Sequence, residues 1–191
     1  MKGKIIFVNV ASSSGKTTLC TALQATLDAP FWHYSIDHFR PPGVLPWQRI
    51  DAGDFSWQDM RPAFFEGFHR CLPALAGAGN NLIVEHIVET AAWMSRLVRL
   101  LSSVDVFFVG VHCPLAELER RERLRKDRRD GEARQDHAVV HTFGAYDLEI
   151  DSARPLEGNV HAVIDGWRRR ARPSAFDRML AAERGRVQNA R

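Results

Sequence analysis

The feature that most constrains the fold of this chain is a short apolar run that ends in a small polar loop. The run, Lys4-Ile-Ile-Phe-Val-Asn-Val10, is nearly continuous and rich in β-branched residues, which is typical of a central strand buried on both faces. Ser12-Ser-Ser-Gly-Lys-Thr-Thr18 follows, and Leu19, Leu23 and Leu27 then recur every four residues, on one face of a helix. The sequence therefore predicts a strand, a loop and a helix in direct succession.

Similar apolar runs recur along the chain and alternate with segments of helical period. They lie at residues 31–36, 81–84, 104–111 and 146–150. Between them, apolar residues at spacings of three and four predict a helix from Trp57 to Ala78. Thr90 suits the N-cap of a second helix that ends near Leu101, and Pro114 suits the first turn of a third helix. Residues 41–53, rich in Pro and Gly, predict an irregular loop. The alternation predicts an α/β domain with a parallel sheet.

Composition and charge exclude other classes of protein. The chain has 191 residues, 45% apolar and 26% charged, which suits one globular domain. No apolar run reaches the roughly 18 residues of a membrane span, so we expect a cytoplasmic protein with no membrane partner. The formal charge of +3 comes from residues 167–191, with eight arginines and two acids, whereas residues 1–166 hold 18 bases and 21 acids. Because nothing aromatic or glycine-rich interleaves those arginines, we expect no nucleic-acid partner.

Three cysteines are widely spaced in apolar surroundings. Cys20, Cys71 and Cys113 form no C-x-x-C pair, which predicts buried thiols and indicates neither disulfides nor zinc ligands.

The loop Ala11-Ser-Ser-Ser-Gly-Lys-Thr17 has the composition of a phosphate-binding loop, or P-loop. In such a loop backbone N–H groups cradle phosphates, a lysine reaches the β and γ oxygens, and a hydroxyl holds Mg²⁺. Lys16 and Thr17 fit the last two roles, and we expect the residues from Ala11 to Thr18 to hold the nucleotide: Ala11, Ser12, Ser13, Ser14, Gly15, Lys16, Thr17 and Thr18. Val10 stands where the pattern G-x-x-x-x-G-K-[ST] has its first glycine, so the turn must begin in a β conformation there or at Ala11. A Ser/Gly turn capped by Thr is the alternative, which the flanking strand and helix disfavour.

Two carboxylates follow predicted strands. Asp37 ends one run and can serve as the general base that takes a proton from an acceptor hydroxyl, or as a cap or turn aspartate. Glu85 ends Leu82-Ile-Val-Glu85 and is a candidate to hold Mg²⁺ or to orient a loop. His86 beside it suits substrate contact and a satisfied polar group equally well.

A charged run extends from Glu117 to Arg134. Its i,i+4 pairs, such as Glu117 with Arg121, predict a solvated helix. In small kinases, an arginine-bearing lid closes over ATP and neutralises charge on the transferred group. Spacing alone does not choose which arginines would do so.

Five motifs in order resemble those of the chloramphenicol phosphotransferase family of P-loop kinases, to about residue 166. The family's N-G-G-S-S-x-G-K-[ST] loop resembles Asn9-Val-Ala-Ser-Ser-Ser-Gly-Lys-Thr17, and its V-D motif resembles Ile36-Asp37. Its acid-ended strand resembles Ile83-Val-Glu-His86, and its R-E-x-x-R-x-D-R pattern falls on Arg121, Glu122, Arg125, Asp127 and Arg128. Its V-V-H and Y-D-x-E-x-D motifs resemble Val139-Val-His141 and Tyr146-Asp-Leu-Glu-Ile-Asp151.

The resemblance implies a P-loop NTPase fold like that of nucleoside-monophosphate kinases. This fold has a five-stranded parallel sheet flanked by helices and an arginine-bearing lid. We expect a kinase domain at residues 1–166, with the lid at about 114–134, and a basic helical extension at 167–191. The implied enzyme is an ATP- and Mg²⁺-dependent O-phosphotransferase that phosphorylates a small-molecule hydroxyl, chloramphenicol in the founding case, and could thereby inactivate an antibiotic.

The same resemblance completes the expected site. Arg125 and Arg128 would stabilise the transition state, and Arg121 would contact the nucleotide. Apart from the resemblance, the residues that are candidates to line an acceptor pocket are Trp47, Phe55, Trp57 and His86, with Phe64 suited to pocket or core. Residues 38–60 match no family motif, so the acceptor and the oligomeric state stay open. The alternatives are a P-loop protein that binds nucleotide without transferring phosphate, and a related kinase for another hydroxylated metabolite.

Overall fold

The computed structural model describes residues 1–39, 44–124 and 131–189, and its centre is a five-stranded parallel sheet. The strands are β1 (Lys4–Val10), β2 (Phe31–Ser35), β3 (Asn81–His86), β4 (Asp105–His112) and β5 (Leu148–Asp151). Their order across the sheet is β2-β3-β1-β4-β5, and every neighbouring pair is parallel. The predicted α/β fold with five parallel strands is confirmed.

Helices cover both faces of the sheet. They are α1 (Lys16–Thr26), α2 (Trp47–Asp51), α3 (Trp57–Gly77), α4 (Ala91–Leu100), α5 (Leu115–Arg123), α6 (Glu132–Val139), α7 (Leu156–Arg169) and α8 (Ala175–Asn189), with a 3-10 turn at Ile36–Phe39. Side chains cap α3 and α4, since Ser56 Oγ accepts from the amide of Asp59 and Thr90 Oγ1 accepts from that of Trp93.

The central strand β1 is buried on both faces, as its sequence predicts. Ile5 and Phe7 pack into a core formed with α3, α4 and α8, whereas Ile6 and Val8 pack into a second core with α1 and α7. All four side chains are fully buried. Because side chains alternate across a strand, a continuous apolar run is what a strand between two helical layers requires.

The prediction of an irregular loop at residues 41–53 is wrong for Trp47–Asp51, which forms α2. This helix has five residues, too few to show a helical period in the sequence. Its stability comes from packing, because the ring centroids of Trp47 and Trp57 lie 5.3 Å apart. Arg49 also pairs with Asp54 at 2.9 Å. Residues 40–43 of the predicted loop lie outside the described residues.

The basic C-terminal segment lies against the rest of the molecule. Helix α7 runs through residue 166, and Phe176 of α8 belongs to the same core as Phe7. Five of the eight arginines after residue 166 form ion pairs with aspartates. The pairs are Arg168 with Asp28, Arg169 with Asp165, Arg170 and Arg172 with Asp105, and Arg178 with Asp147. Part of the positive charge of the basic C-terminal segment is thus offset by acidic side chains of the same protein.

The prediction of three buried thiols holds for Cys20 and Cys113 and is wrong for Cys71, which is exposed. Cys71 precedes the buried Leu72 on α3, and one step of about 100° around a helix carries a side chain from the core face toward solvent. Among the described helices, none is both long enough and apolar enough to cross a membrane.

Candidate active site

The P-loop connects β1 to α1, and its turn begins later than in a loop with an initial glycine. Val10 is still part of β1, where it pairs with Val111. Positive φ occurs instead at Ser13 (62°) and Gly15 (86°). Positive φ is uncommon outside glycine, so the backbone at Ser13 is held in a costly conformation of the kind found at functional sites. Of the two alternatives that the sequence left open, a turn that begins at Val10 or one delayed to Ala11, the structure shows Val10 still within the strand.

Two buried polar atoms in this loop have no partner within residues 1–39, 44–124 and 131–189. The hydroxyl oxygens of Ser13 and Ser14 are buried, and neither has a hydrogen-bond partner among the described residues. A buried hydroxyl without a partner is costly, and phosphate oxygens at this position would satisfy it. Lys16, at the start of α1, is only 8% exposed. The loop therefore fits an anionic phosphate chain.

The two residues before these serines have different surroundings. Ala11 packs with Leu118 and Val140 in a small core beneath α5 and α6. The amide of Ser12 donates to Asp136 Oδ2 at 3.0 Å, so a carboxylate already accepts this N–H group. Burial raises the pKa of Asp136. Of the eight loop residues expected to hold nucleotide, the six from Ser13 to Thr18 line one cavity.

That cavity has a volume of about 650 Å³ and lies over the start of α1. Arg121 from α5 contributes to its wall, and its Nη1 donates to the carbonyl of Ser14 at 2.8 Å. Glu117 accepts from Arg121 Nε at 2.6 Å and so fixes the guanidinium over the loop. Arg154 also lines the cavity. The structure thus brings Arg121 to the P-loop, and its contact with the nucleotide stays a prediction.

A second cavity, of about 300 Å³, adjoins the first. Trp47, Trp57 and Phe64 form much of its aromatic wall. Lys16 and Asp37 line both cavities and therefore mark the place where they meet. Asp37 lies in the 3-10 turn directly after β2, and its amide donates to Ser35 Oγ at 3.2 Å.

Phe55 is not part of this wall. Its side chain is exposed and lies under the guanidinium of Arg49, whose Cζ is 4.3 Å from the ring centroid. The five-residue segment between α2 and α3 turns Phe55 outward, while Trp47 and Trp57 on the two helices point toward each other.

His86 lines the second cavity but is held from behind by other side chains. Its Nε2 lies 2.9 Å from Nε2 of His69, and its ring stacks on Trp93 at an interplanar angle of 14°. Burial lowers the pKa of His69 to about 4 and that of His86 well below its usual value. Both rings are therefore neutral near pH 7, and one donates to the other.

Thr17 and Glu85 meet behind the P-loop. The Thr17 hydroxyl donates to Glu85 Oε1 at 3.0 Å, and the other carboxylate oxygen of Glu85 lies 2.7 Å from His33 Nε2. The Glu85 side chain is fully buried. A hydroxyl beside a carboxylate offers the hard oxygen ligands that Mg²⁺ prefers. The two residues predicted to hold Mg²⁺ are thus in contact.

The described parts of the charged run predicted as a lid fall in α5 and at the start of α6, and the lid role stays a prediction. Glu122, only 5% exposed, accepts from the amides of Gly131 and Ala133 and so caps the start of α6. Arg125 and Arg128 lie outside the described residues, so their assignment to the transition state stays a prediction.

Three groups at the site are not predicted by the sequence patterns. His33 contacts Glu85, Asp136 accepts from the P-loop, and Arg61 lines the second cavity. Both Glu89 oxygens accept from Nη2 of Arg61 at 2.6 Å. The guanidinium lies over the ring of Phe65, with Cζ 4.5 Å from its centroid. Pairing of β2 with β3 could have indicated that His33 lies near Glu85, whereas no local sequence signal marks Asp136 or Arg61.

Comparisons with known proteins agree with this geometry. The family described as chloramphenicol phosphotransferase-like protein matches residues 3–165. A Mycobacterium tuberculosis protein provisionally named an O-phosphotransferase is 28% identical over 198 residues, covering 93% of this chain and 88% of that protein.

Solved kinases share the fold. The APS kinase of Mycobacterium tuberculosis, solved with AMPPNP and APS, is 20% identical with a TM-score of 0.64, covering 87% of this chain and 98% of that one. Shikimate kinase from Aquifex aeolicus is 15% identical with a TM-score of 0.59, covering 86% and 96%. Because the family match spans residues 3–165, this protein belongs to the chloramphenicol phosphotransferase-like family and is a phosphotransferase of the P-loop kinase type, as its motifs predict.

Proposed function

We propose that this protein transfers the γ-phosphoryl group of ATP, with Mg²⁺, to a hydroxyl of a small molecule. The observation that carries the proposal is the pair of adjoining cavities that share Lys16 and Asp37. One cavity is lined by the P-loop and the other by aromatic rings. A phosphate donor in the first and a hydroxyl acceptor in the second would meet at these two residues.

The larger cavity suits the nucleotide. Ser13 and Ser14 would donate to phosphate oxygens from hydroxyls that lack a described protein partner, and Lys16 would neutralise the transferred group. Thr17 and Glu85 are the residues that would hold Mg²⁺, directly or through water. When bound, Mg²⁺ supplies positive charge to the phosphate oxygens.

Asp37 is suited to act as the general base. Its carboxylate would accept the proton of the acceptor hydroxyl while the hydroxyl oxygen forms its bond to the γ phosphorus and the bond to ADP breaks. Arg121 lies over the P-loop on the nucleotide side, and Arg125 and Arg128 stay assigned to the charge that develops on the transferred group.

The smaller cavity suits an acceptor with an apolar or aromatic part. Trp47 and Trp57 supply the broad rings, and Trp47 Nε1 is a buried donor with no partner in the part of the chain that the structure describes. An acceptor oxygen would satisfy it. Chloramphenicol is the first acceptor to test, and its phosphorylation would make antibiotic inactivation the function. Another hydroxylated metabolite is the alternative.

The test is ADP release by the purified protein with ATP and Mg²⁺, first with chloramphenicol and then with a panel of hydroxylated small molecules. Mass spectrometry of the acceptor shows whether it gains a phosphoryl group. An acceptor that raises ADP release above the basal rate and is recovered as a phosphomonoester supports the proposal. If ATP binds but no acceptor is phosphorylated, the acceptor assignment is wrong while the nucleotide site stands.

Two variants test the assigned roles. Asp37→Asn should lower kcat by about 10²- to 10⁴-fold, the usual contribution of a general base, and leave ATP affinity unchanged. Asp51→Asn is the matched control, because this exposed aspartate ends α2 and lines neither cavity. Lys16→Ala should abolish transfer in a folded protein. Full transfer by Asp37→Asn would refute the base assignment.

A further inference from the structure

Three side chains with different donor atoms converge behind the P-loop. Cys20 lies on α1, His33 on β2 and Glu85 on β3, and their Sγ, ring nitrogen and carboxylate oxygen all lie within 4.8 Å of one another. Cys20 is fully buried, and the side chains of His33 and Glu85 are 8% and 0% exposed. Three potential metal ligands are therefore gathered where water has little access.

The fold explains why they meet. In the parallel pairing of β2 with β3, His33 is opposite Ile83 and Ser35 is opposite Glu85. Paired residues point to the same face of a sheet, and residues two apart do so as well, so His33 and Glu85 share the face of Ile83. Ile83 packs in the core that contains Cys20 and α1. The three ligands thus come from three elements that the sheet and its covering helix hold together.

The donor set differs from that of a magnesium site. A thiolate, an imidazole and a carboxylate are the three ligand types that zinc uses, and the fourth position of an open zinc site is taken by water or substrate. Mg²⁺ prefers oxygen and retains its waters, so it has no use for Cys20. We propose that Cys20, His33 and Glu85 form a binding site for a divalent transition-metal ion of the zinc type.

Binding at this site involves a proton. The S–H bond of Cys20 breaks, the sulfur lone pair bonds the metal, and the proton passes to the buffer, while His33 binds through the Nε2 lone pair of its neutral ring. Metal affinity should therefore rise with pH.

The site shares one residue with the proposed Mg²⁺ site. Glu85 Oε1 accepts from Thr17 and Oε2 lies beside His33, so a metal that engages Glu85 with Cys20 draws the carboxylate away from Thr17. Zinc bound here should therefore inhibit phosphoryl transfer. This consequence rests on the proposed function, whereas the binding site itself does not.

Cobalt is a suitable probe, because thiolate ligation of Co²⁺ produces a near-ultraviolet charge-transfer band. The chelator-treated protein is titrated with Co²⁺ in a Cys71→Ser background, which removes the exposed thiol. We expect one Co²⁺ per chain, a charge-transfer band and displacement of Co²⁺ by Zn²⁺. A titration without this band would overturn the proposal.

Three further variants identify the ligands. Adding Cys20→Ser should remove the band, and adding His33→Gln should weaken Co²⁺ affinity by about tenfold or more, as loss of a metal-site contact commonly does. Adding Cys113→Ser is the matched control, since Cys113 is also buried, and it should leave the band intact. Circular dichroism checks folding, and His33→Gln still tests the site if Cys20→Ser does not fold. A band that survives Cys20→Ser, or an affinity unchanged by His33→Gln, would exclude this site.

The kinase assay separates the two proposals. A normal band in a protein that phosphorylates no acceptor would leave the metal site standing and remove only the inhibitory role. Conversely, an active kinase that shows no band would remove the metal site and leave the proposed function intact.

Discussion

Replacing Asn9 with alanine should lower the free energy of unfolding by about 3 kcal/mol. Asn9 lies at the end of β1, is 2% exposed, and ties together two segments that flank the site. Its Nδ2 donates to the carbonyl of Val140 at 2.8 Å and to the hydroxyl of Tyr146 at 2.9 Å, and its Oδ1 accepts from the amide of Val88 at 2.9 Å.

The magnitude follows from what the alanine variant leaves behind. The amide of Val88 becomes a buried donor without a partner, which costs about 1–3 kcal/mol. The carbonyl of Val140 loses its better donor and, among the described residues, keeps a 3.3 Å contact with the Tyr146 hydroxyl, so a further loss of about 1 kcal/mol is expected. The Tyr146 hydroxyl still contacts His141 Nδ1 at 2.7 Å and contributes little to the loss.

Equilibrium urea unfolding measures the effect, with Asn81→Ala as the matched control. Asn81 also joins two backbone groups, accepting from the amide of Lys4 and donating to the carbonyl of Pro30, but both contacts are exposed. Water replaces exposed partners, so the control should lose about 1 kcal/mol or less. If the two variants differ by less than about 0.5 kcal/mol, burial does not determine the cost and the reasoning is refuted.

Three further predictions concern stability and binding. Gly110→Ala should destabilise the fold by about 1–3 kcal/mol, because the new Cβ would lie 2.6 Å from the ring of Tyr146. Gly67→Ala, whose new Cβ would lie in open space on α3, should stabilise the fold slightly. Thermal melts that rank the two variants the other way would contradict this. Protonation of His69 should lower the free energy of unfolding by up to about 1.4 kcal/mol per pH unit as the pH drops from about 6.5 to about 4, because the unfolded chain takes up this proton at a higher pH than the folded chain, in which the pKa of His69 is about 4. The pKa of His86 is lowered as well, so His69→Gln should reduce the slope in urea unfolding at several pH values without abolishing it, and an unchanged slope would contradict this. Arg121→Ala should raise the Kd for ATP by about tenfold in calorimetry, since a positive charge over the P-loop is lost, and an unchanged Kd would remove Arg121 from the nucleotide site.

Elements with a strong local signal could be predicted from the sequence. The apolar run Lys4–Val10 is β1, the run at Asn81 begins β3, and the helix predicted to start at Trp57 does so. Thr90 caps α4 through its own hydroxyl. In each case a period or a capping residue within a few positions determines the outcome, so the information is local.

Other features had no local signal. Helix α2 is too short to show a period, and Phe55 is as aromatic as Trp47 and Trp57 although it lies outside the acceptor cavity. In the sequence, the arginines of the basic C-terminal segment outnumber its acids by eight to two, yet Arg170 pairs with Asp105, which is 65 positions away. These contacts depend on which helices and strands pack against each other in the folded chain.

The sequence by itself determined the five strands, the P-loop between β1 and α1, and the candidate roles of Lys16 and Asp37. Only the tertiary structure decided that those two residues join two cavities and that Cys20, His33 and Glu85 meet behind the loop. The physical reason is distance along the chain. Periodicity and loop chemistry act over a few residues, whereas a site is assembled from side chains that parallel strands and their covering helices bring together from positions far apart.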